Sequence, residues 1–292
     1  MGRFKIVADS ACDLGIALAE KHGISLVPFQ VTFDGETYYT ENITVTTDVF
    51  YQKLRSENVY PKTSLPSIQA YSEVFEPILQ EGQDILCLCL TSKFSGSYQS
   101  GVNAGEMMKE KYPERNIIVL DSRQATVGQG LLTLEAARMR DNELTLQEAV
   151  SSCEKIRDNG QLYITVDSLT YLQKGGRIGK ASALAGGLLN IKPIILFSDG
   201  ELNPLTKVRG HKKALAKIIE LLDEAIGKDR ERYLISVAHA DELEDARQMQ
   251  KELEDMGYHI DLPQVGMGVT IGAHTGPTAI VLGYIQKYDQ IS

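Results

Sequence analysis

The sequence predicts an α/β protein of two domains, the first with a mostly parallel sheet flanked by helices and the second with a mixed sheet. Apolar runs of strand length alternate with helical periodicity through the first half of the chain, which is the rhythm of βαβ units. After residue 161 the pattern changes, and Ser198-Asp199-Gly200-Glu201 between two apolar runs marks a hairpin, because Asp-Gly suits a type I′ turn. The length of 292 residues exceeds one average domain and fits two that share a cleft. The boundary is expected near residue 160, giving domains 1–160 and 161–292.

In the first domain, strands are expected at 4–8, 84–90 and 116–120, each followed by a helix, at 14–22, 97–111 and 128–140. Thr46-Thr47-Asp48 should cap a helix ending near Glu57. A polar loop over 59–67, stiffened by Pro61 and Pro66, then leads into a helix over 68–80. Asp-Ser follows three apolar runs, at Asp9-Ser10, Asp121-Ser122 and Asp167-Ser168, where these residues are expected to cap the next helix.

In the second domain, 169–177 reads as a helix stopped by Gly175-Gly176, and the small apolar stretch 181–189 as a short buried helix. Strands over 193–197 and 202–208 flank the Asp-Gly turn. A long amphipathic helix over 211–226 precedes a strand at 233–238, a helix at 241–256 and a strand at 258–262. The glycine-rich, β-branched stretch 265–284 reads as a strand, a tight turn at His274-Thr275-Gly276-Pro277 and a returning strand.

Composition limits the function. Apolar residues at 43% and charged residues at 24% describe an ordinary globular protein. The N-terminus reaches Ala8-Asp9-Ser10 before a signal-peptide core develops, and no apolar run is long enough to span a bilayer, so a cytoplasmic address without stable membrane insertion is expected. Cys12, Cys87, Cys89 and Cys153 form no C-x-x-C pair, and neither a metal site nor a disulfide is expected. A net charge of −9 argues against nucleic acid. Residues 174–213 depart from that average, with eight basic residues against two acids, a local charge of +6.

Several enzyme signatures fail on spacing. Gly175 to Lys180 is one residue short of a phosphate loop and is followed by Ala181 instead of a hydroxyl. Gly128-Gln129-Gly130 and Gly266-Met267-Gly268 lack the third glycine of a dinucleotide fingerprint, so no cofactor is expected. Lys93-Phe94-Ser95-Gly96-Ser97 lacks the first glycine of a nucleophile elbow, although a serine-dependent acyl hydrolase using Ser95 and His274 remains an alternative. What remains is a hydroxyl-rich set, Thr63-Ser64, Ser95-Gly96-Ser97 and His274-Thr275. The Ser95 loop lies between a strand end and a helix start, where free amides and the positive helix end suit a small anion. Hydroxyls of Ser95 and Thr63 and the imidazole of His274 would complete a carboxylate cradle. Singly, each has an ordinary explanation: Ser95 as a helix cap, Thr63 as a turn residue, His274 as a turn histidine.

Together these segments resemble the DegV family, fatty-acid-binding proteins of bacteria that include the acyl-carrying subunit of fatty-acid kinase. The resemblance runs through Ile6-Val7-Ala8-Asp9-Ser10, Lys62-Thr63-Ser64-Leu65-Pro66-Ser67, Ser95-Gly96-Ser97-Tyr98-Gln99-Ser100, Leu172-Gln173-Lys174-Gly175-Gly176-Arg177-Ile178, Leu189-Asn190-Ile191-Lys192-Pro193-Ile194, Lys207-Val208-Arg209-Gly210 and Gly272-Ala273-His274-Thr275-Gly276-Pro277. Departures are small: Cys12 where alanine is common, Leu65 where glutamine is usual, and Thr278-Ala279 where Gly-Ala is frequent. The resemblance implies a ligand pocket between the two domains. It also implies that Thr63, Ser95, the Gly96 amide and His274 hold the carboxylate of a long-chain fatty acid. Arg177 and Arg209 would then face an ATP-dependent kinase subunit at the cleft mouth. It further implies a carrier that presents the acid to that kinase for acyl-phosphate formation, with no catalysis of its own; a fatty-acid sensor is a further alternative.

Overall fold

In the computed structural model, residues 4–57, 59–186 and 190–291 are described. The first half of the chain contains β1 (Phe4–Asp9), α1 (Gly15–Lys21), β2 (Ile24–Val27), β3 (Gln30–Thr32), β4 (Tyr38–Thr40), α2 (Thr47–Glu57) and β5 (Lys62–Ser64). It continues through α3 (Ile68–Gln80), β6 (Asp84–Cys89), α4 (Ser97–Lys111), β7 (Ile117–Asp121), α5 (Thr126–Asp141) and α6 (Leu146–Arg157). The second half contains β8 (Gln161–Thr165), α7 (Thr170–Lys174), β9 (Ile191–Ser198), β10 (Glu201–Arg209), α8 (His211–Ile226) and β11 (Tyr233–His239). It ends with α9 (Leu243–Asp255), β12 (Leu262–Gly266), α10 (Val269–Thr275) and β13 (Ile280–Gln286).

The fold is α/β, with a parallel sheet flanked by helices and a separate mixed sheet. Strands β2-β1-β6-β7 pair in parallel. Ile6, Val7, Ala8 and residues 85–89 have no exposed surface, as expected of central strands covered on both faces. Alternate side chains choose opposite layers. Val7, Ile85 and Cys87 pack with Tyr71 and Phe75 of α3 and Met108 of α4, whereas Ile6, Leu86 and Leu88 pack with Leu131 of α5 and Ile156 of α6. The second sheet, β10-β9-β8-β13-β11-β12, is antiparallel except for the parallel β11–β12 pair. One face packs on α8 and α9 through Tyr163, Ile235, Val237 and Leu282. Helix α5 lies between the two sheets, and twelve of its residues are buried. A third sheet, antiparallel β4-β3-β5, packs with α2 and α10 against the inner face of the mixed sheet.

Asp199 and Gly200 both take positive φ, 52° and 78°, which is the type I′ geometry expected of the hairpin. Four expectations differ. The strand expected at 258–262 is β12, displaced to Leu262–Gly266, because Tyr258 and Ile260 are buried against α8 and α9 instead of pairing in the sheet. Within 59–67, Lys62–Ser64 forms β5 through pairing with β3. The turn expected at 274–277 is instead the end of helix α10: Asp13 and Glu41 accept its first amides, so tertiary contacts override the β-branched preference of Val269, Thr270 and Ile271. Of the helix expected over 181–189, Gly179–Leu184 forms a 3₁₀ segment and 187–189 lie outside the described residues.

The aspartates of the Asp-Ser pairs also do not cap helices. Asp9 bonds the Leu90 amide and Ser97, Asp121 bonds Ser92 and the Arg123 amide, and Asp167 pairs with Lys192. A Cβ at Gly200 would collide with the Thr91 hydroxyl, whose bond to the Gly200 carbonyl at 3.1 Å ties the hairpin to the parallel sheet. Gly200→Ala is therefore expected to cost about 1–3 kcal/mol of stability in urea unfolding, through backbone strain and this collision. An unchanged midpoint would contradict the assigned packing.

Candidate functional site

In the order β2-β1-β6-β7 the chain moves outward in opposite directions from β1 and β6, and such a switch point is where open α/β sheets leave a crevice at their strand ends. Here the crevice is roofed by the other two sheets and becomes a cavity. About 780 Å³ of space free of protein atoms lies within it, the open mouth included. Its walls are mostly aliphatic and aromatic, with Phe29 and Leu65 beside the small sheet, Leu90 and Phe94 beyond β6, and Leu162 and Phe197 from the mixed sheet. Thr63, Ser95, Arg177 and His274 line the same cavity.

His274 Nε2 lies 2.9 Å from Thr63 Oγ1, joining residues 211 positions apart. Burial, with Arg177 adding a smaller effect, pushes the imidazole pKa down to about 4, so the ring is neutral at pH 7. His274 Nδ1 has no partner among the described residues. It faces the backbone of Gly175, where a Cβ would overlap it. Ser95 Oγ accepts the Ser97 amide at 3.1 Å, which leaves its own proton available to an acceptor in the cavity. Gly96 immediately precedes α4, in the turn whose amides lack intrahelical partners, and Leu65 Cδ2 lies 3.2 Å from where its Cβ would be.

Arg177 donates through Nε to the Phe94 carbonyl at 3.1 Å and through Nη1 to the Gly175 carbonyl at 2.7 Å. It thus fixes the loop entering Ser95 and the glycine beneath His274. Arg209 does not line the cavity. It is exposed, seven residues beyond the cavity-lining Leu202 on the same strand, or about 20 Å along it. Arg177 thus lies in the cavity wall, whereas Arg209 lies at the end of the hairpin away from its turn. Within the basic window 174–213, Lys180 pairs with Glu201, Lys192 with Asp167 outside the window, and Lys174 stacks over Tyr60. Lys212 and Lys213 face outward from α8.

Sequence reasoning missed a buried polar layer behind the polar end of the cavity. Asp9 accepts the Leu90 amide at 2.9 Å, Ser97 Oγ at 2.8 Å and Gln129 Nε2 at 2.9 Å, tying β1 to α4 and α5. Its carboxyl pKa is raised by burial. Asp13 and Glu41, likewise buried and raised chiefly by desolvation, meet the first turn of α10. Asp9 was visible in the Asp-Ser pattern, but Glu41 has no motif around it. Among the described residues, no group of His, Cys, Asp or Glu could hold a metal ion, and no helix is long and apolar enough to cross a membrane.

An apolar cavity that ends in hydroxyls and a neutral imidazole has the form of a small-molecule site. A DegV family model matches residues 3–287. A DegV domain-containing protein of Clostridium perfringens is 36% identical over 279 residues, covering 94% of this chain and 95% of the relative. Among solved structures, a stearic-acid-binding protein from Eubacterium ventriosum has a TM-score of 0.93 at 36% identity, covering 99% of this chain and 100% of that one. DegV of Bacillus subtilis, a fatty acid binding protein, has a TM-score of 0.87 at 30% identity, covering 98% and 100%. The chain belongs to the DegV family.

An unfolded chain protonates this imidazole below about pH 6.5 and the folded chain only below about 4, so stability should fall as pH drops through that window, by up to about 3 kcal/mol. His274→Gln should remove that contribution, so the stability difference from wild type should change across the window. A constant difference would contradict the neutral, buried ring. Gly175→Ala should shift the imidazole and disturb its contact with Thr63, read as a displaced His274 ring signal in NMR with the remaining spectrum intact. An unmoved ring would contradict the close packing.

Proposed function

We propose that this protein binds a long-chain fatty acid, with its tail in the cavity and its carboxylate held by Thr63, Ser95, the Gly96 amide and His274. The observation that carries this reading is the Thr63–His274 contact at the polar end of a cavity whose other walls are apolar. Each buried methylene contributes about 0.8 kcal/mol, so the tail supplies affinity. A carboxylate resists burial unless it is hydrogen-bonded, so the polar end supplies orientation. A neutral imidazole donates one hydrogen bond, and the nearby Arg177 guanidinium favours negative charge. The stearic acid bound by the Eubacterium ventriosum relative supports the same ligand class here.

In this reading, domains 1–160 and 161–292 enclose the tail. The protein acts in the cytoplasm as a carrier without catalysis of its own, presenting the acid to a separate ATP-dependent kinase that forms the acyl phosphate. Exposed Arg209 would meet that partner. Hydrolysis by Ser95 is disfavoured because, among the described residues, Ser95 Oγ and His274 form no nucleophile–base hydrogen bond: His274 Nε2 meets Thr63 instead.

Mass spectrometry of lipid extracted from the purified protein should find a long-chain fatty acid in stoichiometric amount, with no turnover of acyl esters. Ser95-dependent ester hydrolysis would overturn the carrier reading. Ser95→Ala should weaken retention of the acid, whereas Arg209→Ala should retain it and reduce acyl-phosphate formation with the kinase and ATP. Loss of binding in Arg209→Ala would contradict that division, and no acyl phosphate from wild type would favour a sensor.

A further inference from the structure

We propose that Glu41, remote in sequence from the cradle, is a positioning residue that sets His274 against the bound carboxylate by holding the first turn of α10. The assignment rests on the fatty-acid reading of the cavity. Helix α10 has seven residues, too few to be stable alone, and its first amides have no intrahelical partners. Glu41 Oε1 accepts the Thr270 amide at 3.1 Å, and Glu41 Oε2 accepts Thr270 Oγ1 at 2.6 Å. Ser10 Oγ donates to the same Oε2 at 2.6 Å while accepting the Phe29 amide at 3.0 Å. The Glu41 amide in turn donates to the Phe29 carbonyl at 3.0 Å. Both oxygens of Glu41 therefore act as acceptors, which an ionised carboxylate satisfies and a carboxamide does not. The fit is close, since a Cβ at Gly268 would overlap Glu41 Oε1.

Geometry links this clamp to the cradle. His274 follows Thr270 by four residues, about 6 Å along the helix axis. Glu41 directly follows β4, which pairs with β3, and β3 pairs with β5 at Val31–Thr63. One small sheet therefore supplies Glu41 to the start of α10 and Thr63 to its last turn. The separation of Thr63 Oγ1 from His274 Nε2 depends on both attachments. Ser10 does not line the cavity, so an effect of its substitution on ligand passes through Glu41 or through Phe29, and only the Glu41 route, which ends at the imidazole, separates the acid from the alcohol.

The test compares stearic acid with stearyl alcohol, which shares the tail but lacks the carboxylate. Binding to Glu41→Gln should weaken about tenfold for the acid and change less than about twofold for the alcohol. In a His274→Ala background, Glu41→Gln should cause no further loss, because the effect passes through the imidazole. Ser10→Ala should repeat the pattern at smaller size and carries the test if Glu41→Gln does not fold. Equal losses for acid and alcohol, or a loss that adds in full to that of His274→Ala, would overturn the assignment and mark Glu41 as merely structural. A wild-type protein that does not prefer acid to alcohol would overturn the fatty-acid reading itself. Intact wild-type preference with unchanged variants would overturn the positioning role alone.

Discussion

The polar end of the cavity depends on where a seven-residue helix is held. Two turns do not persist in water, so α10 exists through its contacts with distant segments. Asp13 and Glu41 take its first amides, Tyr51 Oη donates to the Met267 carbonyl at 3.1 Å, and Thr63 meets His274 near its end. Each partner comes from the first 63 residues, more than 200 positions away in sequence. The Thr63–His274 pair is consequently a product of the contact between the two halves of the chain. Neither half carries it alone.

Desolvation acts differently at the apolar and polar ends of the cavity. At the apolar end it favours burial of any hydrocarbon placed against Phe29, Leu162 and Phe197. At the polar end it keeps His274 neutral, and in the buried layer behind that end it raises the pKa values of Asp9, Asp13 and Glu41, because charged forms lose hydration there. Hydrogen bonds oppose that cost at Asp9 and Glu41, where backbone amides and hydroxyls converge. These acids serve as buried attachment points within the binding framework.

Much of the fold was legible because it rests on local periodicity. The strands around Ile6 and Leu86, the α4 span from Ser97 and the Asp199-Gly200 turn follow from alternation, capping and turn chemistry. The expectation failed where tertiary contact outweighed local preference. Val269-Thr270-Ile271 favours extended chain, yet Asp13 and Glu41 cap it as helix. Thr63, Ser95 and His274 stood out as polar residues beside turns, and Arg177 entered through the family resemblance. The Asp9 network was masked by its likeness to a helix cap, and Glu41 was invisible because neither its neighbours nor its spacing suggests burial. Arg209 illustrates the opposite case, since a shared motif pattern said nothing of how far along the hairpin it would lie.

The central claim concerns the acid group, and carboxyl-¹³C NMR of labelled stearate bound to the protein addresses it directly. The account predicts a carboxyl resonance displaced from that of free stearate, insensitive to titration near the free acid's pKa, and shifted by Thr63→Ala and by His274→Ala. A resonance that titrates like the free acid and ignores both substitutions would place the carboxylate in solvent and contradict the account.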